Sequence, residues 1–331
     1  NKVYLFDKDS NSPLWSANDT ITNGDVESVA ISADGEYIVA GTNGKLFLFN
    51  QDSGNPIWNA TLGTYGESTH VDISADGNYI AVGDSRKVYL FAKGTNNPLW
   101  TYQVPQKIHD VVISADGEYI VSASGTQSIK LFNKDSSTPM WSAGGAPSVA
   151  ISADGEYIVS GNSDNKVSLY EKGSSCGCFV NPVWTYTAGD DITSVSISED
   201  GEYIIAGSKD NITYLFEKGS NTPIWKYNAS VGIWSVSLSA DGKYLSSGVG
   251  CSGCGSTTGD KFMFFKNSLA DRPSIIPYGP RSGSEVDSPP LRWFAGSDDR
   301  SNLTFDVYLG TSTSSMSLVA NDITNLSYTP S

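Results

Sequence analysis

Four cysteines and two histidines are the residues of this 331-residue chain best suited to metal or redox chemistry. The cysteines form two close pairs, Cys176-Gly-Cys178 and Cys251-Ser-Gly-Cys254. A four-thiolate zinc site normally repeats the Cys-x-x-Cys spacing, which the second pair has and the first lacks. No His follows Cys254, so attachment of a c-type haem is not indicated. All four cysteines are read first as disulfide candidates stapling extended loops, with bonds or a metal between subunits, and free thiols, as the alternatives. His70 and His109 open strand-like segments, and with Glu27 and Asp110 they are the candidate metal ligands, since imidazole and carboxylate are ordinary ligands. The blander reading of the same positions, a polar opening filled with water, is the favoured one. No nucleophile with a base at defined spacing, no phosphate-binding glycine loop and no paired-carboxylate motif stands out. Neither a catalytic residue nor a cofactor is therefore expected.

What must position these residues is a repeat. Ser-Ala-Asp-Gly occurs at 32–35, 74–77, 114–117, 152–155 and 239–242, with Ser-Glu-Asp-Gly at 198–201. The aspartates Asp34, Asp76, Asp116, Asp154, Asp200 and Asp241 are spaced by 42, 40, 38, 46 and 41 residues. Trp15, Trp58, Trp100, Trp141, Trp184 and Trp225 keep a second ruler of 43, 42, 41, 43 and 41. A period near 41 built of strand-like segments is the mark of a propeller blade.

Each period reads as four short strands: one like Ser-Val-Ala-Ile-Ser at 28–32, one from Tyr37, one from Lys45 and one around Trp58. Asp-Gly between the first two makes a tight turn with Gly at positive φ, so the six aspartates are read as structural. Pro13, Pro56, Pro98, Pro139, Pro182 and Pro223 each lie two residues before a repeat Trp, which suits an outer edge strand that gives up one donor. In the first strands Val29, Val71, Val111, Val149, Val195 and Val236 align on a core face, while the other face is mostly Ser or Ala and is read as packing. The aligned tryptophans are expected to be buried between blades and to dominate stability. Counting gives six first, six second, seven third and six fourth strands, which favours seven blades with incomplete ends over six.

The Ser-Ala-Asp-Gly-Glu-Tyr-Ile-Val segments resemble the second half of WD repeats, although no Trp-Asp or Gly-His pair is present. Segments such as Lys2-Val-Tyr-Leu-Phe through Pro13-Leu-Trp15 resemble repeats of the pyrroloquinoline-quinone dehydrogenase propellers, in which a late Trp packs between blades. The resemblance covers residues 1–267 and implies fold more than function, because both repeat types serve unrelated roles. The adjacent cysteine pair of quinoprotein dehydrogenases is absent.

After Lys266 the texture changes. Residues 268–290 are Pro-, Ser- and Gly-rich and read as a linker and the start of a second unit. Leu291-Arg-Trp293, Leu303 to Gly310 and Ser327 to Pro330 are strand signals that resemble part of a fibronectin type III sandwich over 291–331. Such a resemblance implies a calcium-binding turn in some relatives; an acidic, solvated turn at Asp298 and Asp299 is the preferred reading. The fold class expected is thus all-β: a propeller followed by an Ig-like sandwich.

Composition bounds the function. Asp and Glu number 36 against 21 Lys and Arg, a net charge of −15 with no basic cluster, which argues against nucleic acid or an anionic membrane as partner. No apolar run is long enough to span a bilayer as a helix. Only 17% of residues are charged, and the loops are filled with Ser, Thr, Asn and Gly, a balance that points to an extracellular or cell-surface protein. In that setting the sequons at Asn18, Asn59, Asn211, Asn228, Asn302 and Asn325 are glycosylation candidates. The chain opens at Asn1 within a blade, so a processed or excised piece is expected. These features favour a non-enzymatic surface protein, a subunit of a filament, sheath or adhesin that self-associates. The alternatives are a soluble scaffold for partner proteins or glycans and, last, a quinoprotein-like enzyme.

Overall fold

A computed structural model describes residues 2–17, 25–63, 69–124, 128–173, 177–249 and 261–267, and the strand segments 275–278, 291–295, 305–309, 317–323 and 327–328. The chain divides into two units, Asn1–Phe265 and Lys266–Ser331. Every regular element among the described residues is a β-strand.

Unit 1 begins with a two-stranded sheet, β1 (Val3–Phe6) and β2 (Pro13–Ala17). Next comes the sheet of β3 (Val26–Ile31), β4 (Tyr37–Thr42), β5 (Lys45–Asn50) and β6 (Ser53–Thr61). The third sheet holds β7 (Thr69–Ile73), β8 (Tyr79–Asp84), β9 (Lys87–Ala92) and β10 (Pro98–Gln103). The fourth holds β11 (Asp110–Ile113), β12 (Tyr119–Ser124), β13 (Ser128–Asn133) and β14 (Trp141–Ala143). The fifth has β15 (Ser148–Ile151), β16 (Tyr157–Gly161) and β17 (Lys166–Glu171). The short β18 (Cys178–Phe179) lies outside it, and β19 (Trp184–Thr187) is its fourth strand. The sixth is β20 (Ile192–Ile197), β21 (Tyr203–Ser208), β22 (Ile212–Glu217) and β23 (Trp225–Asn228). The last sheet has β24 (Ile233–Leu238), β25 (Tyr244–Val249) and β26 (Lys261–Lys266). Apart from β18, each sheet runs antiparallel in chain order, which is the construction of propeller blades.

The tetrapeptide explains the turn between first and second strands. Ser32 Oγ donates to Asp34 Oδ1 (2.6 Å) and accepts from the Tyr37 N–H (3.0 Å), while the Glu36 N–H donates to the same Asp34 oxygen (2.9 Å). Gly35 sits at φ 75°, a conformation that costs other L residues about 1 to 2 kcal/mol. The turns also bond to one another: Ala33 N–H donates to Ala75 O (3.0 Å), Ala75 to Ala115 (2.9 Å), Ala153 to Glu199 (2.9 Å) and Glu199 to Ala240 (2.9 Å). One turn motif therefore both closes a hairpin and links neighbouring sheets.

Between sheets the core is apolar and repeats itself. Leu46 and Leu48 of β5, both fully buried, pack with Val71, Ile73, Ile80 and Val82 of the next sheet. Second-strand glycines allow this approach: a Cβ on Gly83 would lie 2.4 Å from Ile108 Cγ2. Each repeat Trp reaches forward. The indole N–H groups of Trp15, Trp58, Trp100, Trp141 and Trp184 donate to the carbonyls of Gln51, Lys93, Lys134, Lys172 and Lys218 at 2.7 to 2.8 Å. Trp225 stacks edge-on against Phe265 of the last sheet, with centroids 5.0 Å apart. Trp141 is 1% exposed, whereas the other five are half-buried.

Two features differ from the sequence expectation. β18 adds to the outer edge of the fourth sheet, parallel to β14, pairing Trp141 with Cys178 and Ser142 with Phe179. It comes from the long loop of the following repeat, so it covers Trp141 more fully than the other repeat tryptophans are covered. The second difference is that Val29 and Ile31 of β3 are 58% and 52% exposed, although Val71 and Ile73 are each 7% exposed. Valines and isoleucines at these positions point toward the preceding sheet, and the first sheet consists of only β1 and β2 among the described residues.

In unit 2, β27 (Ile275–Tyr278) pairs with β28 (Leu291–Ala295), which pairs with β31 (Ser327–Tyr328); β29 (Phe305–Leu309) pairs with β30 (Ser317–Ile323). Asp298 and Asp299 lie outside the described residues.

Candidate functional site

Glu27, His70 and Asp110 lie on the first strands β3, β7 and β11, at the opposite edge of each sheet from the tryptophan strand, and His109 directly precedes β11. Outside β3, the alternation of the first strands sends Val and Ile into the core and the intervening side chains toward the neighbouring first strand. Those side chains are used as acceptors. Val71 N–H donates to Ser28 Oγ (3.3 Å), Val195 N–H to Ser148 Oγ (3.2 Å), Val236 N–H to Ser194 Oγ (3.1 Å) and Leu238 N–H to Ser196 Oγ (3.3 Å). Thr193 works in the other sense, its hydroxyl donating to Ile233 O (2.7 Å) and Gly207 O (3.0 Å). Small polar residues here are more than spacers, because they bond one blade to the next.

Two carboxylates take the same role. Asp72 Oδ2 accepts from Ile113 N–H (2.9 Å) and its Oδ1 from Ile73 N–H (2.9 Å), and Asp110 Oδ2 accepts from Val149 N–H (3.0 Å). Part of each residue stays accessible, but the carboxyls lie among the packed first strands. Burial pushes Asp72 up to about 6 against the pull of those N–H donors. Burial pushes Asp110 up to about 7, with the negative charge of Asp72 adding to the effect.

His70 is half-buried and His109 exposed. Burial, then the charges of Lys107 and His109, hold His70 below the usual imidazole value, so it is neutral at pH 7. Glu27 is exposed on β3. No three His, Cys, Asp or Glu side chains among the described residues are grouped so as to hold a metal ion. His70, His109, Asp110 and Glu27 are thus not brought together as one ligand set, and Asp110 serves as an inter-blade acceptor. Asp72, missed in the sequence, was marked only by its slot: the equivalent positions hold Ala30, Val112, Ala150, Ser196 and Ser237.

Cys178 is disulfide-bonded, while Cys176, Cys251 and Cys254 lie outside the described residues. Of the sequons, Asn59 and Asn228 are exposed on outer strands and Asn211 is partly buried at φ 74° in a turn. Asn18, Asn302 and Asn325 fall outside the described residues.

Comparison with known families agrees with this geometry. Residues 49–176 match the PQQ-repeat model described as outer membrane protein assembly factor BamB. Residues 15–50 and 180–217 match the WD domain, G-beta repeat. No curated protein matches the chain. Unit 1 carries PQQ-like and WD40 repeats, which with its antiparallel sheets are consistent with a β-propeller, and neither match extends into unit 2.

Proposed function

We propose that this chain is a non-enzymatic interaction protein of the cell exterior, a subunit of a surface filament, sheath or adhesin in which the propeller is a rigid platform. The observation that carries this reading is the use made of the inner-strand polar groups. Ser28, Asp72, Asp110, Ser148, Ser194 and Ser196 all accept a backbone N–H from the next first strand, so these polar groups serve cohesion between sheets. The acidic net charge of −15 keeps nucleic acid out of the partner class. The seven-sheet order favours seven blades, and a fibronectin type III-like sandwich over 291–331 belongs to the same proposal. A soluble scaffold for other proteins is the second reading. It is favoured by the match of residues 49–176 to a family named for assembly of other proteins rather than for catalysis.

Sedimentation of the full chain across micromolar concentrations separates the two. The surface-subunit reading expects association that grows with concentration, as a heterologous contact between copies requires. A monomer throughout the range would contradict it and leave the scaffold reading.

A further inference from the structure

The tryptophan strand is the outer edge of each sheet, and the chain covers these edges by one repeated register. The residue four before each repeat Trp faces the carbonyl that follows the Trp of the preceding sheet. Gly54 lies against Ser16 O, to which a Cβ would come within 2.8 Å. Asn96 Nδ2 donates to Asn59 O (3.2 Å), and Asn221 Nδ2 donates to Thr185 O (3.1 Å). At β14 the cover is a strand. Val180 N–H donates to Ser142 O (2.8 Å) and Gly177 N–H to Met140 O (2.7 Å), with Trp141 beside Cys178 in the parallel register of β18. Covered edges of this kind keep a sheet from pairing with other chains.

The edge of β10 is the exception. Ser137 holds the position of Asn96, Val180 and Asn221, and among the described residues no hydrogen bond joins it to Thr101 O. Leu99 is 51% exposed, whereas Met140 beside β18 is half-buried. Trp100 is half-buried, whereas Trp141 under β18 is 1% exposed. With six residues against the three of β14, β10 offers a longer edge than the one that already holds a strand. The segment 134–140 joins β13 directly to β14, while 172–183 has room for β18, so the adjoining loop cannot lay a strand on β10 from within the chain.

We propose that the outer edge of β10 is a docking site for an extended, uncharged segment of a partner protein, which adds to it as a parallel strand in the way that β18 adds to β14. Two N–H groups of the segment, three residues apart like those of Gly177 and Val180, donate to Leu99 O and Thr101 O. A small residue lies beside Trp100, as Cys178 lies beside Trp141. The segment is uncharged because its side chains cover Leu99 and Trp100, where a charge would lose its water. This names the edge by which the platform proposed above holds a partner, and it rests on that reading for the existence of one. Sedimentation of the chain alone tests the platform's self-association, and peptide binding tests the edge.

The test uses the full chain and a labelled synthetic peptide of residues 174–181 carrying Cys176→Ser and Cys178→Ser, read by fluorescence polarisation. Saturable one-to-one binding is expected, with hydrogen exchange slowed along β10. In the chain, Ser137→Asn installs the amide that covers the β6 and β19 edges and should weaken binding about tenfold or more, because the acceptor at Thr101 is then taken. Ser137 is on a surface loop, so this variant should melt as the wild type does. A second arm leaves the chain unchanged and uses the same peptide N-methylated at the Val180 position, which cannot donate to Thr101 O; it should bind as weakly as the unmodified peptide binds the variant. Absence of binding, binding equal in both arms, or slowed exchange along β14 in place of β10 overturns the proposal. Self-association abolished by Ser137→Asn, without any peptide binding, overturns it in favour of a second copy at this edge.

Discussion

Asp72 and Asp110 sit where a carboxylate is expensive, and each is nonetheless kept because it receives the N–H of a neighbouring first strand. Their folded-state values near 6 and 7 lie above the ordinary 3.8, so the folded protein holds protons that the unfolded chain has released. Stability from these two groups is greatest below about pH 4 and falls as pH rises toward 7. Asp72→Asn with Asp110→Asn keeps an acceptor for each N–H and removes the charge. Urea denaturation should therefore show the variant gaining on the wild type between pH 4 and pH 7; parallel curves would mean that the carboxyls are solvated. Trp141 presents the opposite economy, an indole 1% exposed whose N–H is bonded to Lys172 O. Trp141→Ala should cost about 3 to 5 kcal/mol, with a smaller loss for half-buried Trp100 or Trp184, measured by the same denaturation. The aligned tryptophans were legible in the sequence, but their unequal burial was not, because it depends on β18 arriving from another repeat.

At the level of elements, the turn is the unit that repeats most faithfully, and its glycines separate two costs. Gly35 and Gly155 have nearly the same φ, 75° and 69°, but only Gly155 faces a tyrosine of the preceding sheet. Gly35→Ala should cost about 1 to 2 kcal/mol for the left-handed backbone alone. Gly155→Ala should add about 1 to 3 kcal/mol, because Tyr119 would have to move. Equal losses in thermal denaturation would show that the tyrosine seat carries no packing. Ser-Ala-Asp-Gly made these turns, and the strand order around them, readable from sequence, since hairpin chemistry is local. The exposure of Val29 and Ile31 was not readable. Their residue types match Val71 and Ile73, and the difference lies in which strands stand across from them.

Across unit 1, the same contact is built between successive sheets, from apolar third strands, forward-reaching tryptophans and inner-strand acceptors. The inner polar face was noticed in the sequence through His70, His109, Asp110 and Glu27, and was weighed there as an opening or a ligand set. The structure assigns its serines and aspartates to bonds between first strands, a role that spacing along the chain does not encode because the donors lie about one repeat away. In the function proposed above, the inner face holds the first strands together and binds neither metal nor quinone. The most direct test is the metal and quinone content of the purified native protein, by elemental analysis and absorption spectroscopy after dialysis. Far less than one equivalent of either per chain is the predicted result. One equivalent retained by the native protein, and lost in a folded His70→Ala and His109→Ala variant, would contradict it.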